Sequence, residues 1–282
     1  MESVLAFPGR QYAGGQRRTD RIDLSLVIPA YNEARRLPQT LHRVAAWVGS
    51  LPWRIEVVVV DDGSADGTAI AAAAHPCGCG VIRLLHNSGK GAAVRAGILA
   101  ARGRVVAFTD ADLPYRMDSL EQAFETIERG AADVVFGGRD LHGSSMAVRR
   151  SARRNLASAS FRMVTRLLVS RQVRDTQCGL KAFSHQAAQE IFPRVHTDGF
   201  AFDAEAILVA RRLGLVADRV PVVLVNEAGS TVSLRRHAPQ MLRDILRANL
   251  RHARGAGPKS AATPPYEVLR TAVVAEPMRR AA

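Results

Sequence analysis

The sequence predicts an α/β domain with a mostly parallel central sheet and helices on both of its faces. Three observations lead there. Strand-like runs such as "LSLVIPA" (24–30) and "IEVVVV" (55–60) are apolar throughout, as in strands buried on both faces. Segments of helical period separate them, the alternation expected of a parallel sheet. Polar residues gather directly after one strand end after another, on the rim where open α/β sheets bind ligands.

The elements follow in order. The first strand spans 24–30, and an amphipathic helix, interrupted near Pro38, spans 33–48. "IEVVVVDDG" (55–63) is a strand ending in acids, and "ADGTAIAAAA" (65–74) a short helix with Asp66 near its start. "VIRLLH" (81–86) is a strand, "GKGAAVRAGILAAR" (89–102) a helix and "VVAFTD" (105–110) a strand. A helix at 117–130 and a strand at 132–138 complete the first half, residues 22–138. The second half, 139–252, is more helical, with apolar residues at helical spacing and Arg between them over 153–169 and 237–253. Residues 1–21 read as a flexible tail, and 253–282, entered through "GAGPKSAATPP", as a weakly ordered one.

Composition narrows the function. At 282 residues and 47% apolar content the chain can build a full core. Three cysteines, Cys77, Cys79 and Cys178, leave one unpaired in any scheme, so a reducing, cytoplasmic setting is expected. Cys-Gly-Cys lacks the second ligand pair of a zinc site and reads as small residues in a turn. No apolar run approaches the ~18 residues of a membrane span, and the N-terminus does not read as a signal peptide. The net charge of +13 attracts anions, and from Arg139 to Arg174 nine arginines face one acid, Asp140. A nucleic-acid partner is not expected: no reading module is present, and 5% aromatic residues offer little for base stacking.

The rim carries the chemistry. Tyr31, Asn32 and Glu33 follow the first strand, Asp61 and Asp62 the second, Asn87 and Lys90 the third, Asp110 and Asp112 the fourth, and Arg139 the fifth. In an extended segment residues i and i+2 share a side, so Asp110 and Asp112 are placed to converge on one divalent cation while Ala111 points away. Mg²⁺ or Mn²⁺ prefers one or two carboxylates together with substrate phosphate oxygens, so the pair suits a metal-bound diphosphate. A bare Asp-x-Asp is nonetheless a short and common pattern. "SGKGAAVRAG" (88–97), with Asp110 about twenty residues on, also approaches a dinucleotide-binding fingerprint. That reading gives Asp61, Asp62 and Asp112 no role and places bulky Lys90 inside the tight glycine turn.

"VIPAYNE" (27–33), "VVDDGSADGT" (59–68), "NSGKGAAVRAG" (87–97) and "DADL" (110–113) together resemble the nucleotide-sugar half of family 2 inverting glycosyltransferases of the GT-A fold, a Rossmann-like unit. "DTQCGLKAF" (175–183) and "GFAFDAEAILVARRLG" (199–214) resemble the dolichyl- or polyprenyl-phosphate transferases, nearer the glucosyl than the mannosyl branch. The resemblance covers roughly residues 24–250. It implies transfer of a hexose, glucose from UDP-glucose, to a polyprenyl phosphate, which is met at a membrane surface. Relatives often carry transmembrane helices; this chain has no run of that length, so peripheral docking through the Arg-rich amphipathic helices at 149–169 and 234–253 is expected. GDP-mannose as donor, or a soluble hydroxyl as acceptor, are the alternatives.

The resemblance also assigns residues. Pro29, Tyr31, Glu33 and Asp61 or Asp62 would hold the nucleoside with Lys90 nearby, and Asp110 and Asp112 the Mg²⁺ or Mn²⁺. Arg139, Arg154 and Ser158 would hold the acceptor phosphate. A phosphate monoester, with its second pKa near about 6, needs no general base, and arginine suits it. Asp203 and Glu205 are expected to bind the sugar; with a hydroxyl acceptor one of them would serve as base.

Overall fold

The computed structural model describes residues 21–141, 144–146, 178–225, 234–255, 257–258 and 264–275. Strands β1 (Leu24–Ala30), β2 (Ile55–Asp61), β3 (Gly80–Leu84), β4 (Val105–Phe108) and β5 (Val134–Gly138) alternate with helices α1 (Leu37–Gly49), α2 (Thr68–Ala74), α3 (Lys90–Ala100) and α4 (Asp118–Glu128). Then come β6 (Ser145–Met146), β7 (Lys181–Ser184), α5 (His185–Ile191), α6 (Phe202–Arg212), β8 (Ala217–Pro221), β9 (Val223–Leu224), α7 (Leu234–Ala253) and β10 (Tyr266–Arg270).

Eight strands form one sheet in the order β10-β3-β2-β1-β4-β7-β5-β8, and β6 and β9 pair separately. The ladders β1–β2, β1–β4, β2–β3 and β5–β8 are parallel; β7 lies antiparallel between β4 and β5, and β10 antiparallel on β3. Because β4 and β5 both oppose β7, their carboxyl ends share the edge used by β1, β2 and β3. The sheet is therefore mostly parallel with helices on both faces, as the sequence predicts.

Every residue of β1 and β2 is buried, although alternate side chains enter different layers. Leu24, Leu26 and Ile28 pack with α1, α2 and α4, while Val27, Val58 and Val60 pack with α3, α5, α6 and α7. Each aliphatic side chain removed from water contributes about 1.5–3 kcal/mol, which is why these strands tolerate so few polar residues. Among the few, with Ser25 and Asp61, Glu56 is offset by donors: Ser25 Oγ at 2.6 Å, the Arg102 N–H at 2.7 Å and the Arg102 guanidinium at 2.6 and 2.9 Å.

Three expectations change. Pro38 does not interrupt a helix: α1 starts at Leu37, and Pro38 sits in its first turn, where a missing N–H leaves no bond unmade. β4 ends at Phe108, two residues before the acid pair. The C-terminal region is not wholly a tail, because Tyr266–Arg270 adds an edge strand to β3 and Ala275 bridges Ile55. "YEVLR" is too short, and too close to a Pro-rich stretch, to announce a strand without the β3 edge that pairs with it.

Candidate active site

The chain order reverses between β1 and β4, so the crevice beyond their carboxyl ends is the switch point of the sheet. The β1–β4 register stops at Val27 opposite Phe108. Pro29, which has no N–H to donate, lies buried in β1 beyond that last pair, where the two chains part.

The residues after β1 are shaped by the loop after β2. Asn32 takes a left-handed φ of 55°, which asparagine accepts more readily than most residues. Its N–H donates to Ser64 Oγ at 2.8 Å, and its side-chain oxygen accepts from the Ala65 N–H at 3.2 Å. The Glu33 N–H donates to Thr68 Oγ1 at 2.9 Å and the Ala34 N–H to Asp66 at 3.1 Å. "YNE" and "GSADGT" thus form one interlocked wall that leaves Tyr31 about half exposed. Ser64, Asp66 and Thr68 are the parts of this wall that sequence reasoning did not assign. Burial pushes the Glu33 carboxyl up; Arg36, 3.3 Å away, opposes this, while Asp112 and Asp66 add to it.

The neighbouring acids after β2 have different tasks. Asp61 is buried, accepts from the Ser64 N–H at 3.1 Å and lies 3.5 Å from Arg83 Nε. Asp62 faces the β3–α3 loop, and its two oxygens accept from the Ser88 and Gly89 N–H groups at 2.7 and 2.9 Å. Of the two, Asp62 therefore anchors the β3–α3 loop, a division the strand's alternation makes intelligible.

Asp110 and Asp112 meet through a turn, not through extended chain. The Leu113 N–H closes it on the Asp110 carbonyl at 3.0 Å, Leu113 holds a φ of 43°, and Thr40 Oγ1 on α1 donates to the Ala111 carbonyl at 2.5 Å. A left-handed leucine costs about 1–2 kcal/mol, strain that the α1 contact and the buried Leu113 side chain sustain. Burial and then Asp110 push the Asp112 carboxyl up, with Lys90 and Arg36 opposing. Lys90, the first residue of α3, puts Nζ 2.5 Å from Asp110. Its burial disfavours the charge, but Asp110, Asp203 and Asp112 together hold the ammonium above its ordinary range. Gly179 lies against the Asp110 carboxylate so closely that a Cβ there would collide with it.

This donor set fits a hard divalent cation: two neighbouring carboxylates, one raised by the other, in a cradle that a single methyl group would fill. Among the described residues no group of three or more His, Cys, Asp or Glu side chains could hold a metal by itself. Further ligands would then come from a bound diphosphate and water.

The helix N-terminus that the dinucleotide reading needs is already engaged. The Gly91 and Ala92 N–H groups donate to the Asp198 carbonyl at 2.7 and 3.2 Å, and a Cβ at Gly89 would strike that same oxygen. A protein carbonyl thus stands where a dinucleotide's pyrophosphate would bind.

In the second half, Phe108 packs on Phe202 with ring centroids 5.6 Å apart, which brings the start of α6 to the end of β4. Asp203 is buried there, 2.8 Å from Lys181 Nζ; Lys181 in turn donates to the Cys178 carbonyl at 2.7 Å and lies over the Phe108 ring. Burial pushes the Asp203 carboxyl up against the pull of Lys181 and Lys90. Lys181 is a rim residue that sequence reasoning missed; its signal is a lysine inside the apolar "GLKAF".

Glu205 does not bind a sugar at the rim. It is fully buried and accepts from the His196 and Thr197 N–H groups at 3.1 and 2.7 Å, from Arg251 at 3.0 Å and from His252 at 2.8 Å. Burial opposes its charge, yet these donors bring its pKa down to about 2. Arg139 sits directly after β5 on the same edge as the acids. Arg154 and Ser158 lie outside the described residues.

The comparisons agree with this architecture. The sequence profile described as "Glycosyl transferase family 2" matches residues 25–192. The dolichyl-phosphate beta-glucosyltransferase of Drosophila melanogaster is 34% identical over 250 residues, spanning 83% of this chain and 77% of that protein. The human protein of the same name is 31% identical over 252 residues, spanning 83% and 76%. Among solved structures, glucosyl-3-phosphoglycerate synthase from Mycobacterium tuberculosis, crystallised with Mn²⁺, UDP and glucosyl-3-phosphoglycerate, superposes with a TM-score of 0.60 at 18% identity, over 91% of each chain. Mannosyl-3-phosphoglycerate synthase from Rubrobacter xylanophilus gives 0.60 at 18% identity, over 91% and 90%. With a GT-A sheet, an acid pair at its switch point and relatives of this similarity over most of its length, the chain is a glycosyltransferase and belongs to glycosyl transferase family 2.

Proposed function

We propose that the chain transfers glucose from UDP-glucose to a polyprenyl phosphate of the dolichyl type, with inversion at the sugar carbon. The observation that carries the acceptor class is the state of the two carboxylates in the acceptor half. A hydroxyl acceptor needs a base, yet Asp203 is buried in an ion pair with Lys181 and Glu205 is held by four donors. A phosphate monoester arrives largely ionised and needs neither. The names of the curated relatives support the same acceptor and sugar.

In this reading the wall formed by Tyr31, Glu33 and Asp61 receives the nucleoside. Asp110 and Asp112 would hold Mg²⁺ or Mn²⁺, which when bound neutralises charge on the departing diphosphate. Lys90 keeps Asp110 oriented and presents a second positive charge to the same region. Arg139, with Arg154 and Ser158, would guide the acceptor phosphate, since guanidinium matches phosphate geometry.

A prenyl chain must be met at a lipid surface. No described helix is long and apolar enough to cross a membrane. α7 instead exposes Leu246 and Leu250 beside exposed Arg243 and Arg247, a face suited to lying on anionic lipid.

A panel of UDP- and GDP-sugars with Mn²⁺, assayed with and without polyprenyl phosphate in detergent, tests the proposal. Turnover of UDP-glucose that requires both the prenyl phosphate and a divalent cation is the expected result. Preference for GDP-mannose, or equal transfer to soluble hydroxyls, refutes it.

A further inference from the structure

The start of α3 is gripped from two sides. Asp62 accepts from the Ser88 and Gly89 N–H groups at 2.7 and 2.9 Å. The Asp198 carbonyl accepts from Gly91 and Ala92 at 2.7 and 3.2 Å. Lys90, which reaches Asp110, lies between the two grips. The loop that carries Asp198 is itself fixed twice. Arg95, 1% exposed, donates to the Val195 carbonyl at 3.2 Å and to the Asp198 carboxylate at 2.5 Å. Glu205 accepts from the His196 and Thr197 N–H groups, and its other oxygen is tied to α7 by Arg251 and His252.

We infer that Glu205 is a positioning residue for donor binding: by fixing loop 195–198 over the start of α3, it sets Lys90 beside Asp110. The inference rests on the donor reading of the rim. Its physical basis is that little slack separates the parts. Gly91 has no room for a Cβ against the Thr197 carbonyl and the Phe202 side chain, so a shift of the loop is transmitted directly to α3. Because the Asp198 carbonyl engages the Gly91 and Ala92 N–H groups, the positive charge that α3 offers a diphosphate is the Lys90 ammonium. Its placement thus depends on a carboxylate that lies outside the rim.

The test is binding of UDP in the presence of Mn²⁺, measured by calorimetry on wild type, Glu205→Gln, Lys90→Ala and the double variant. Glu56→Gln is the control, since Glu56 is equally buried and multiply hydrogen-bonded but lies at the amino end of β2. Glu205→Gln is expected to weaken binding about fivefold and to add nothing in the Lys90→Ala background, the signature of two residues acting as a unit. Glu56→Gln should leave binding within about twofold, as expected of a distant site. An unchanged affinity in Glu205→Gln, equal losses in both glutamine variants, or a Glu205→Gln effect that adds fully to that of Lys90→Ala overturns the positioning role. If Glu205→Gln does not fold, Asp198→Ala enters the same cycle with the same expectations, because its side chain is 44% exposed and the change removes the Arg95 ion pair. Failure of wild type to bind UDP with Mn²⁺ would refute the donor reading itself, a result distinct from a failure of the clamp.

Discussion

Gly179→Ala is the sharpest test of the acid pair. The new Cβ would collide with one carboxylate oxygen of Asp110 and lie 2.9 Å from its Cγ and 3.4 Å from the other oxygen. Neither side yields cheaply. The backbone around Gly179 is pinned by Lys181 Nζ on the Cys178 carbonyl at 2.7 Å and by the Gly137 N–H on the Leu180 carbonyl at 2.9 Å. Asp110 is pinned by Lys90 at 2.5 Å. Overpacking of this kind costs about 1–3 kcal/mol, or a Tm lowered by several degrees in a chain of this size. Rotating Asp110 away would also disturb the proposed metal ligand, which would lower metal affinity or activity about 10–100-fold. Thermal melts and Mn²⁺ titrations of the transfer reaction read the two effects. Gly49→Ala is the control, because a Cβ there meets nothing within 4 Å and alanine favours the helix. Wild-type Mn²⁺ dependence in Gly179→Ala would refute the assignment of Asp110 to the metal.

Further outcomes follow from the same contacts. Asp112→Asn removes a partly buried charge that Asp110 repels, so the metal-free protein should melt no lower than wild type, while transfer falls at least about a hundredfold. Near-normal transfer would remove Asp112 from the metal site. Asp203→Asn leaves the Lys181 ammonium buried without its partner and should cost about 3–5 kcal/mol in denaturant melts. Transfer by the folded fraction should remain within tenfold of wild type, and a loss of about 10²–10⁴ would identify a general base and a hydroxyl acceptor. Glu205 supplies a pH test. Its pKa falls from 4.5 to about 2 on folding, which contributes about 3 kcal/mol. A depressed carboxylate stabilises above its unfolded value and loses that contribution as pH falls through the folded one. The stability gap between wild type and Glu205→Gln should therefore be full at pH 6 and close between about 4.5 and 2. Among the described residues Arg251, His252, His196 and Asp244 are charged or titratable groups that face Glu205, and the Glu205 charge helps to push the Asp244 carboxyl up. A gap that stays constant across that window would refute the charged role of Glu205.

The succession of strands and helices was legible because continuous apolar runs can be buried only in a sheet covered on both faces, and the rim was legible because Tyr31–Glu33, Asp61–Asp62 and Asp110–Asp112 interrupt those runs at corresponding points. The resemblance to the family was legible in "VIPAYNE", "VVDDGSADGT", "NSGKGAAVRAG" and "DADL" taken together, since each motif lies within a few adjacent residues. What each acid does was not local. Asp61 and Asp62 are neighbours in sequence, yet one turns to Ser64 and Arg83 and the other to the α3 loop. Asp203 and Glu205 are two residues apart on one helix, yet one meets Lys181 beside the rim and the other four donors behind it. β10 likewise exists through its pairing with β3. The sequence by itself determined the order of elements over the first half, the burial of its strands on both faces and the position of the polar rim, because hydrophobic period and turn chemistry act over a few residues. The tertiary structure alone decided which carboxylates face the crevice and which brace it, because a buried charge takes its role from donors that lie distant in the chain.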